Sequence, residues 1–388
     1  MFEEALRALR RAVWSGGREG KAWVAGQDED GLYIVQIESP QGGYSIRLPD
    51  VRMVDALVGP QLKEIREDLA VPYESRTSRS MPVDEAPRDS TVSLVRAGAA
   101  AQRMSRVDRI GGSRVTLAGY TCRGPTRADQ GIEYKSYNED GYLLRLTAQA
   151  DGTEIAVIGA FDQAGGEGRV EDNHGAASEA AARAVEGVMH RIEAGEDPKV
   201  VLEQAAEAAD DAVHALGVGA VATLALAVVM VKAEGNATVH IATVGDSRVV
   251  RAGPDGEMRQ ATELHNLGAQ VAAGRAPGIH PAFALQFAAG LSRGLGGDDA
   301  RADVMTWEME PGDRLVVATD GLGDAREMEE MPLGTWHADR CSVHVAKIAG
   351  AASDPSVAVQ ALLGYALDQA AEGYGKPDNI AVVVLQLQ

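Results

Sequence analysis

Three features of the sequence predict an α+β fold of stacked antiparallel sheets with helices outside. Apolar, β-branched runs recur between turn signals, two pairs of helical segments interrupt those runs, and each helix pair needs an apolar sheet face to cover. The chain's 388 residues allow two or three domains and a substantial core. A hydrophobic fraction of 45% and a charged fraction of 24%, with 44 Gly and 15 Pro, exclude collagen-like, coiled-coil and wholly disordered classes.

The elements follow in order. Phe2, Ala5, Leu6, Leu9 and Val13 stand at helical spacing, so residues 2–14 predict a short amphipathic helix. Lys21–Ala25, Leu32–Glu38 and Tyr44–Leu48 predict a small meander, divided by turn signals at Asp28–Gly31 and Gly42-Gly43. A further helix is expected over 50–70. Residues 1–75 thus form a small N-terminal α/β module whose function the sequence does not state.

Over 76–114 the apolar periodicity fades and Ser, Thr, Pro and Arg accumulate, which predicts a linker. Residues 76–127 hold ten Arg, no Lys and four acids, a balance of +6 in a chain of −20, so the remainder carries −26. This charge segregation leaves two readings of the tether, a solvated spacer or a segment that docks on an acidic face.

Residues 115–388 make the larger domain. Strands are expected at Val115–Thr121, Tyr142–Ala148 and Glu154–Ala160, then helices at about 174–194 and 198–215, the first with Ala177, Ala181, Ala184 and Val188 on one face. Strands at Val221–Val231, Ala237–Val244, Arg248–Ala252, Ala302–Glu308 and Arg314–Thr319 follow. Helices at about 338–351 and 355–372 and a strand at Asn379–Leu387 close the chain.

The net charge opposes nonspecific binding to nucleic acid or anionic lipid and favours cations as ligands. Only Cys122 and Cys341 occur, neither near a Cys/His cluster, so no disulfide framework or zinc site is indicated and a reducing cytoplasm is the expected location. No signal peptide or membrane span is expected, because the N-terminus lacks an apolar stretch and the longest apolar run, Val218 to Val231, is below the ~20 residues of a spanning helix.

Five acidic stations sit at strand ends and tight turns: Asn138-Glu139-Asp140, Asp162 before Gln163-Ala164-Gly165-Gly166, Gly245-Asp246-Ser247-Arg248, Thr319-Asp320-Gly321 with Asp324, and Asp378-Asn379. Singly, an Asp beside Gly is ordinary turn chemistry. Together, carboxylates without His or Cys suit hard cations, Mg²⁺ or Mn²⁺ rather than Zn²⁺. Two such ions, bridged by one carboxylate, can activate water and clamp a phosphoryl oxygen, which is the chemistry of phosphate-ester hydrolysis.

In order and spacing these stations resemble the type 2C metal-dependent Ser/Thr protein phosphatases, and Leu291-Ser292-Arg293-Gly294-Leu295-Gly296 and Pro311-Gly312-Asp313 extend the match over about 115–388. The resemblance implies an αββα sandwich of two antiparallel sheets flanked by helix pairs, with the metals at one end. It implies that Asp162 bridges two core ions, that Asp320 and Asp378 complete one, and that the Gln163 carbonyl binds the other. Glu139 and Asp140 would hold metal-bound waters, and Asp246, with Asp320 and Asp324, would mark a weaker third position. Implied too are phosphorylated protein substrates of a Ser/Thr kinase, direct attack of water on phosphorus, and a place in signalling by dephosphorylation.

Three departures stand out. Lys135 occupies the customary Arg position and would meet substrate phosphate as a point charge, not a bidentate fork. Gln163 replaces a Gly, with strain if the site demands positive φ. Ala164 stands where eukaryotic relatives carry a general-acid His, leaving water to protonate the leaving alkoxide. These features keep a pseudophosphatase or phosphoprotein-binding module in view, and a small-molecule phosphoesterase is a third reading. His265, in Glu263-Leu264-His265-Asn266, is either a metal or substrate contact or ordinary loop polarity. His174, His190 and His214 are expected at the surface, and Asn266–Gly290 reads as a long irregular loop resembling the family's substrate-access flap.

Overall fold

The central strands of the larger domain, such as Leu224–Val231, are rich in apolar residues because both faces of each sheet are covered. The computed structural model describes residues 21–27, 33–39, 42–48, 91–103, 106–126, 133–134, 137–149, 151–164, 175–217, 219–232, 235–272, 290–322, 340–371 and 378–388. Strands β1 (Lys21–Gln27), β2 (Tyr33–Ser39) and β3 (Gly42–Leu48) pair antiparallel in that order, as the turn signals between them predict. The helices expected at 2–14 and 50–70 lie outside the described residues.

The chain continues with β4 (Thr91–Arg96), a 3-10 turn at Gly98–Arg103, β5 (Asp108–Gly111), β6 (Val115–Cys122) and the two-residue strands β7 (Pro125–Thr126) and β8 (Glu133–Tyr134). Next come β9 (Gly141–Ala148), β10 (Glu154–Phe161) and β11 (Gln163–Ala164), then helices α1 (Ala176–Val188), α2 (His190–Glu193) and α3 (Pro198–His214). Strands β12 (Val221–Ala222), β13 (Leu224–Val231), β14 (Ala237–Val244), β15 (Arg248–Ala252) and β16 (Met258–Ala261) precede the short helix α4 (Leu267–Ala272). The described chain ends with β17 (Asp303–Met309), β18 (Arg314–Ala318), α5 (Arg340–Ala351), α6 (Pro355–Ala371) and β19 (Ile380–Leu387).

Two six-stranded antiparallel sheets form the sandwich, in the orders β17-β14-β13-β10-β9-β4 and β16-β15-β18-β19-β6-β5. Side chains alternate between two apolar layers along each strand. In β10, Ala156, Ile158 and Ala160 face the inter-sheet core with Leu117, Val317 and Val383, while Ile155, Val157 and Phe161 meet Ala181, Val185 and Leu202 of α1 and α3. In β19, Val383 and Leu385 point between the sheets, and Val382 and Val384 pack on α5 and α6 with Val345, Val359 and Leu362. The layers are therefore α, β, β, α.

Helix starts follow local chemistry. Asp197 caps α3, accepting from the Lys199 N–H at 3.0 Å, with Pro198 at the first helical position. Asp354 does the same for α6, accepting from the Ser356 N–H at 2.8 Å. Among the described residues no helix is long and apolar enough to cross a membrane.

Residues 91–114 correct the linker expectation. β4 and β5 are the terminal strands of the two sheets, β4 paired with β9 and β5 with β6, so the sandwich begins by residue 91 rather than 115. Their Arg- and Ser-rich composition, which reads as linker, is that of edge strands with one margin in water. Arg96 of β4 donates to Asp108 of β5 at 2.6 Å, and the buried Tyr142 hydroxyl donates to the same oxygen at 3.0 Å, stitching the two sheet edges together.

Candidate metal centre

Antiparallel register places the acidic stations at one end of the sandwich. In the first sheet the end of β10 pairs with the start of β9 (Phe161↔Gly141), and the end of β14 with the start of β13. In the second sheet the start of β15, the end of β18 and the start of β19 pair side by side, Arg248↔Ala318 and Ala318↔Val382. Asn138-Glu139-Asp140 enters β9, Asp162 leaves β10, Asp246 joins β14 to β15, Asp320 leaves β18, and Asp378 enters β19.

Asp162, Asp246 and Asp320 are buried, and each offers a carboxylate oxygen within 4.8 Å of the other two. Backbone chemistry fixes all three. The Asp162 N–H donates to Thr223 Oγ1 at 3.2 Å, its carbonyl accepts from the Thr223 N–H at 2.8 Å, and Thr223 Oγ1 lies 2.6 Å from Ser247 Oγ. Thr223 thus ties the Asp162 station to the Asp246 turn. Gly245 adopts φ +98°, and a Cβ there would come within 2.6 Å of Thr223 Cγ2, so this turn requires glycine.

Thr319, the residue before Asp320, joins two more stations. Its hydroxyl donates to Asp140 Oδ2 at 2.6 Å and accepts from the Ala381 N–H at 2.8 Å. Asp140 is fully buried, and its carboxyl is pushed well above the usual carboxylate range, first by burial and then by the charges of Asp162 and Asp378. Its Oδ1 is buried without a hydrogen-bond donor among the described residues. Close carboxylates and an orphaned acceptor, all oxygen, fit a divalent hard cation. Zinc ligation by His or Cys finds no support in this donor set.

Asp378 is half-buried and accepts from the Asn379 N–H at 2.9 Å. Two glycines wedge its segment: a Cβ on Gly124 would fall 1.4 Å from the Asp378 carbonyl oxygen, and one on Gly321 would fall 1.9 Å from that of Asn379. Asn138 organises the entry to β9, donating to Thr121 Oγ1 at 2.9 Å and accepting from the Asp140 N–H at 3.2 Å. Glu139 is buried, and its carbonyl accepts from Ser178 Oγ of α1 at 2.6 Å.

Gln163 belongs to β11, paired with Ala222 of β12. Its side-chain carbonyl accepts from the Ala177 N–H at 2.9 Å, supplying the cap that Gly175 cannot give α1, and its amide donates to Glu139 Oε1 at 3.4 Å. The substitution of Gly by Gln therefore links the helix to the acidic loop. Lys135, Asp324, Gly165, Gly166 and His174 lie outside the described residues, as does residue 273–289 of the predicted flap. His190 and His214 are exposed, as expected.

His265 is buried and meets the Gly245 turn and Asp303. Its Nδ1 accepts from the Gly245 N–H at 3.1 Å and its Nε2 meets Asp303 Oδ2 at 2.9 Å. The sequence marks Thr319 within the Thr319-Asp320-Gly321 station but not its bond to Asp140, and it singles out neither Thr223 nor this role of His265. Each Thr interrupts or ends an apolar run, which is the one signal that marks them: a buried hydroxyl there needs partners.

No protein-family model matches the chain, and no curated protein matches it. Solved structures do resemble it. The serine/threonine phosphatase PstP/Ppp of Mycobacterium tuberculosis aligns over 71% of this chain and 99% of its own, at 24% identity and TM-score 0.48. The PPM Ser-Thr phosphatase MsPP of Mycobacterium smegmatis, in complex with cacodylate, aligns over 71% of this chain and 100% of its own, at 24% identity and TM-score 0.47. The S. agalactiae serine/threonine phosphatase aligns over 71% of this chain and 100% of its own, at 18% identity and TM-score 0.48. At these values the case for function rests on the residues of the site.

Proposed function

We propose that the chain is a metal-dependent phosphatase of the type 2C kind, hydrolysing phosphoserine and phosphothreonine in proteins. The observation that carries this reading is the gathering of ordered acidic stations at one end of the sandwich, with Asp162, Asp246 and Asp320 within 4.8 Å of one another. Such a donor set suits Mn²⁺ or Mg²⁺, two core ions and a weaker third. When bound, the ions supply Lewis acidity, lowering the pKa of water and neutralising phosphoryl oxygens.

The chain's own residues divide the work in this reading. Asp162, Asp320 and Asp378, with the Gln163 carbonyl, hold the core ions; Asp246 and Asp324 serve the third. Glu139 and Asp140 orient water, Asp140 through an oxygen anchored on Thr319. Lys135 attracts the substrate phosphate. No Ser or Cys nucleophile is required, and water protonates the leaving alkoxide. Phosphoproteins made by a Ser/Thr kinase are the proposed substrates, and a reducing cytoplasm, consistent with Cys122 and Cys341 standing outside any disulfide, the proposed location. Residues 1–75 are proposed as a separate module.

The test compares phosphate release from phosphoserine and phosphothreonine peptides with release from simple phosphate esters, at saturating Mn²⁺. Peptide preference supports the proposal. Preference for small esters would make the protein a small-molecule phosphoesterase, and peptide binding without release would make it a pseudophosphatase.

A further inference from the structure

The turn that carries Asp246 is held by a buried side chain that the metal reading leaves without a role. His265 grips Gly245 twice: its Nδ1 accepts from the Gly245 N–H at 3.1 Å, and its own N–H donates to the Gly245 carbonyl at 2.9 Å. Because Nδ1 accepts, the ring proton sits on Nε2, where it donates to Asp303 Oδ2 at 2.9 Å. Arg293 completes the chain, its Nη1 donating to Asp303 Oδ1 at 2.6 Å. The imidazole is therefore fixed in tautomer, in plane and in depth.

The same residue stands at the root of the segment 267–290. The His265 carbonyl accepts from the Ser292 N–H at 2.9 Å, Asn266 bridges to Leu291, and the Leu267 N–H donates to the Gly290 carbonyl at 2.9 Å. Asn266 Oδ1 also caps α4 through the Ala269 N–H at 2.8 Å. One side of His265 thus holds the Asp246 turn, and its backbone on the other side meets Ser292, next to the Asn266 and Leu267 contacts that join the two ends of that segment.

We infer that His265, oriented by Asp303 and Arg293, is a positioning residue for Asp246 that ties the root of segment 267–290 to the weakest of the cation positions. The inference rests on the metal-dependent reading above. The geometry gives it a mechanism. Gly245 has the positive φ and close approach to Thr223 that only glycine tolerates, and of the two contacts His265 makes to it, the one to the amide N–H comes from the ring and the one to the carbonyl from the backbone. Without the imidazole the turn relaxes, and the Asp246 carboxylate leaves the arrangement it shares with Asp162 and Asp320. Outer contacts of this kind are worth about 10–100-fold in metal affinity.

The experiment is calorimetric titration of Mn²⁺ into the full chain: wild type, Asp246→Asn, His265→Ala, His265→Asn, and the double variant Asp246→Asn/His265→Ala. The Asn side chain places a carbonyl oxygen near the position of Nδ1 and preserves the bond from Gly245. His265→Ala is expected to weaken the Asp246-dependent Mn²⁺ site about tenfold or more, His265→Asn by less than about threefold. On the Asp246→Asn background, His265→Ala should add nothing, since it acts through the same carboxylate. Unchanged affinity in His265→Ala, equal losses in Ala and Asn, or an additive loss in the double variant would overturn the inference while leaving the metal centre intact. If His265→Ala does not fold, His265→Asn decides alone: weakening beyond about threefold overturns the inference. Wild type that binds Mn²⁺ at the core positions but at no Asp246-dependent site would overturn this inference alone, and wild type that binds no Mn²⁺ would overturn the functional reading with it.

Discussion

Asp162→Asn separates the two consequences of a shared carboxylate. Asp162, Asp246 and Asp320 place oxygens within 4.8 Å of each other. At an effective dielectric of about 20, two unit charges at that distance repel by about 3.5 kcal/mol, and Asp162 faces two such partners. Solvent screening and relaxation of the side chains offset much of this repulsion. A net relief of about 1–3 kcal/mol remains, and the new amide can donate to neighbouring carboxylates. Metal-free Asp162→Asn should therefore melt about 2–8 °C above metal-free wild type. Wild type should gain about 2.7 kcal/mol at a Mn²⁺ concentration 100 times its Kd, and the variant should lose most of that gain. Turnover of a phosphothreonine peptide should fall about a thousandfold or more. Asp255→Asn is the control, an exposed residue that accepts from the Glu257 N–H at 3.0 Å within its own turn, and it should keep wild-type turnover. A variant that melts lower without metal, shows the wild-type Mn²⁺ shift and turns over normally would refute the reasoning.

Further predictions rest on other contacts. Gly124→Ala places a methyl against the Asp378 backbone, which cannot yield as a side chain can, so Mn²⁺ affinity should fall at least about tenfold in calorimetry. Tyr142→Phe removes a buried bond to the Asp108 carboxylate and should cost about 1–3 kcal/mol in urea unfolding, with no change in Mn²⁺ affinity. Glu193 is held below the usual carboxylate range: burial opposes its ionisation, but hydrogen bonds from Arg145 and Thr147, both at 2.7 Å, and the Arg145 charge outweigh it. A depressed folded pKa contributes stability above the unfolded value of about 4.3 and loses it as pH falls through the folded one, so Glu193→Gln should flatten the decline in melting temperature below about pH 4.5.

Legibility in the sequence followed physical causes. Strands buried on both faces, such as Glu154–Phe161 and Ile380–Leu387, announced themselves as apolar runs, and capped helices such as Pro198–His214 carried their start signals. Edge strands did not: Thr91–Arg96 has no fully buried position, and Asp108–Gly111, though its burial alternates, is only four residues long and begins with an Asp-Arg pair. The break in Val221–Val231 at Thr223 was hidden for another reason, since only the tertiary partner, the Asp162 backbone, explains a polar residue there. The acids were legible because their order along the chain is itself a pattern. Gln163 was legible as a departure, but its cap on α1 depends on a helix start with no side chain of its own, which spacing does not reveal. His265 likewise gains its meaning only from Gly245 and Asp303, 20 and 38 residues away.

The central claim is that these gathered carboxylates perform hydrolysis only with a divalent cation in place. The most direct measurement is phosphate release from a phosphothreonine peptide by the full chain, first at saturating Mn²⁺, then in excess chelator, then after Mn²⁺ is restored. The account predicts rapid release, loss to background and recovery, because oxygen-only sites bind these ions weakly enough to be stripped. Undiminished release in excess chelator, or no release at saturating Mn²⁺, would contradict it.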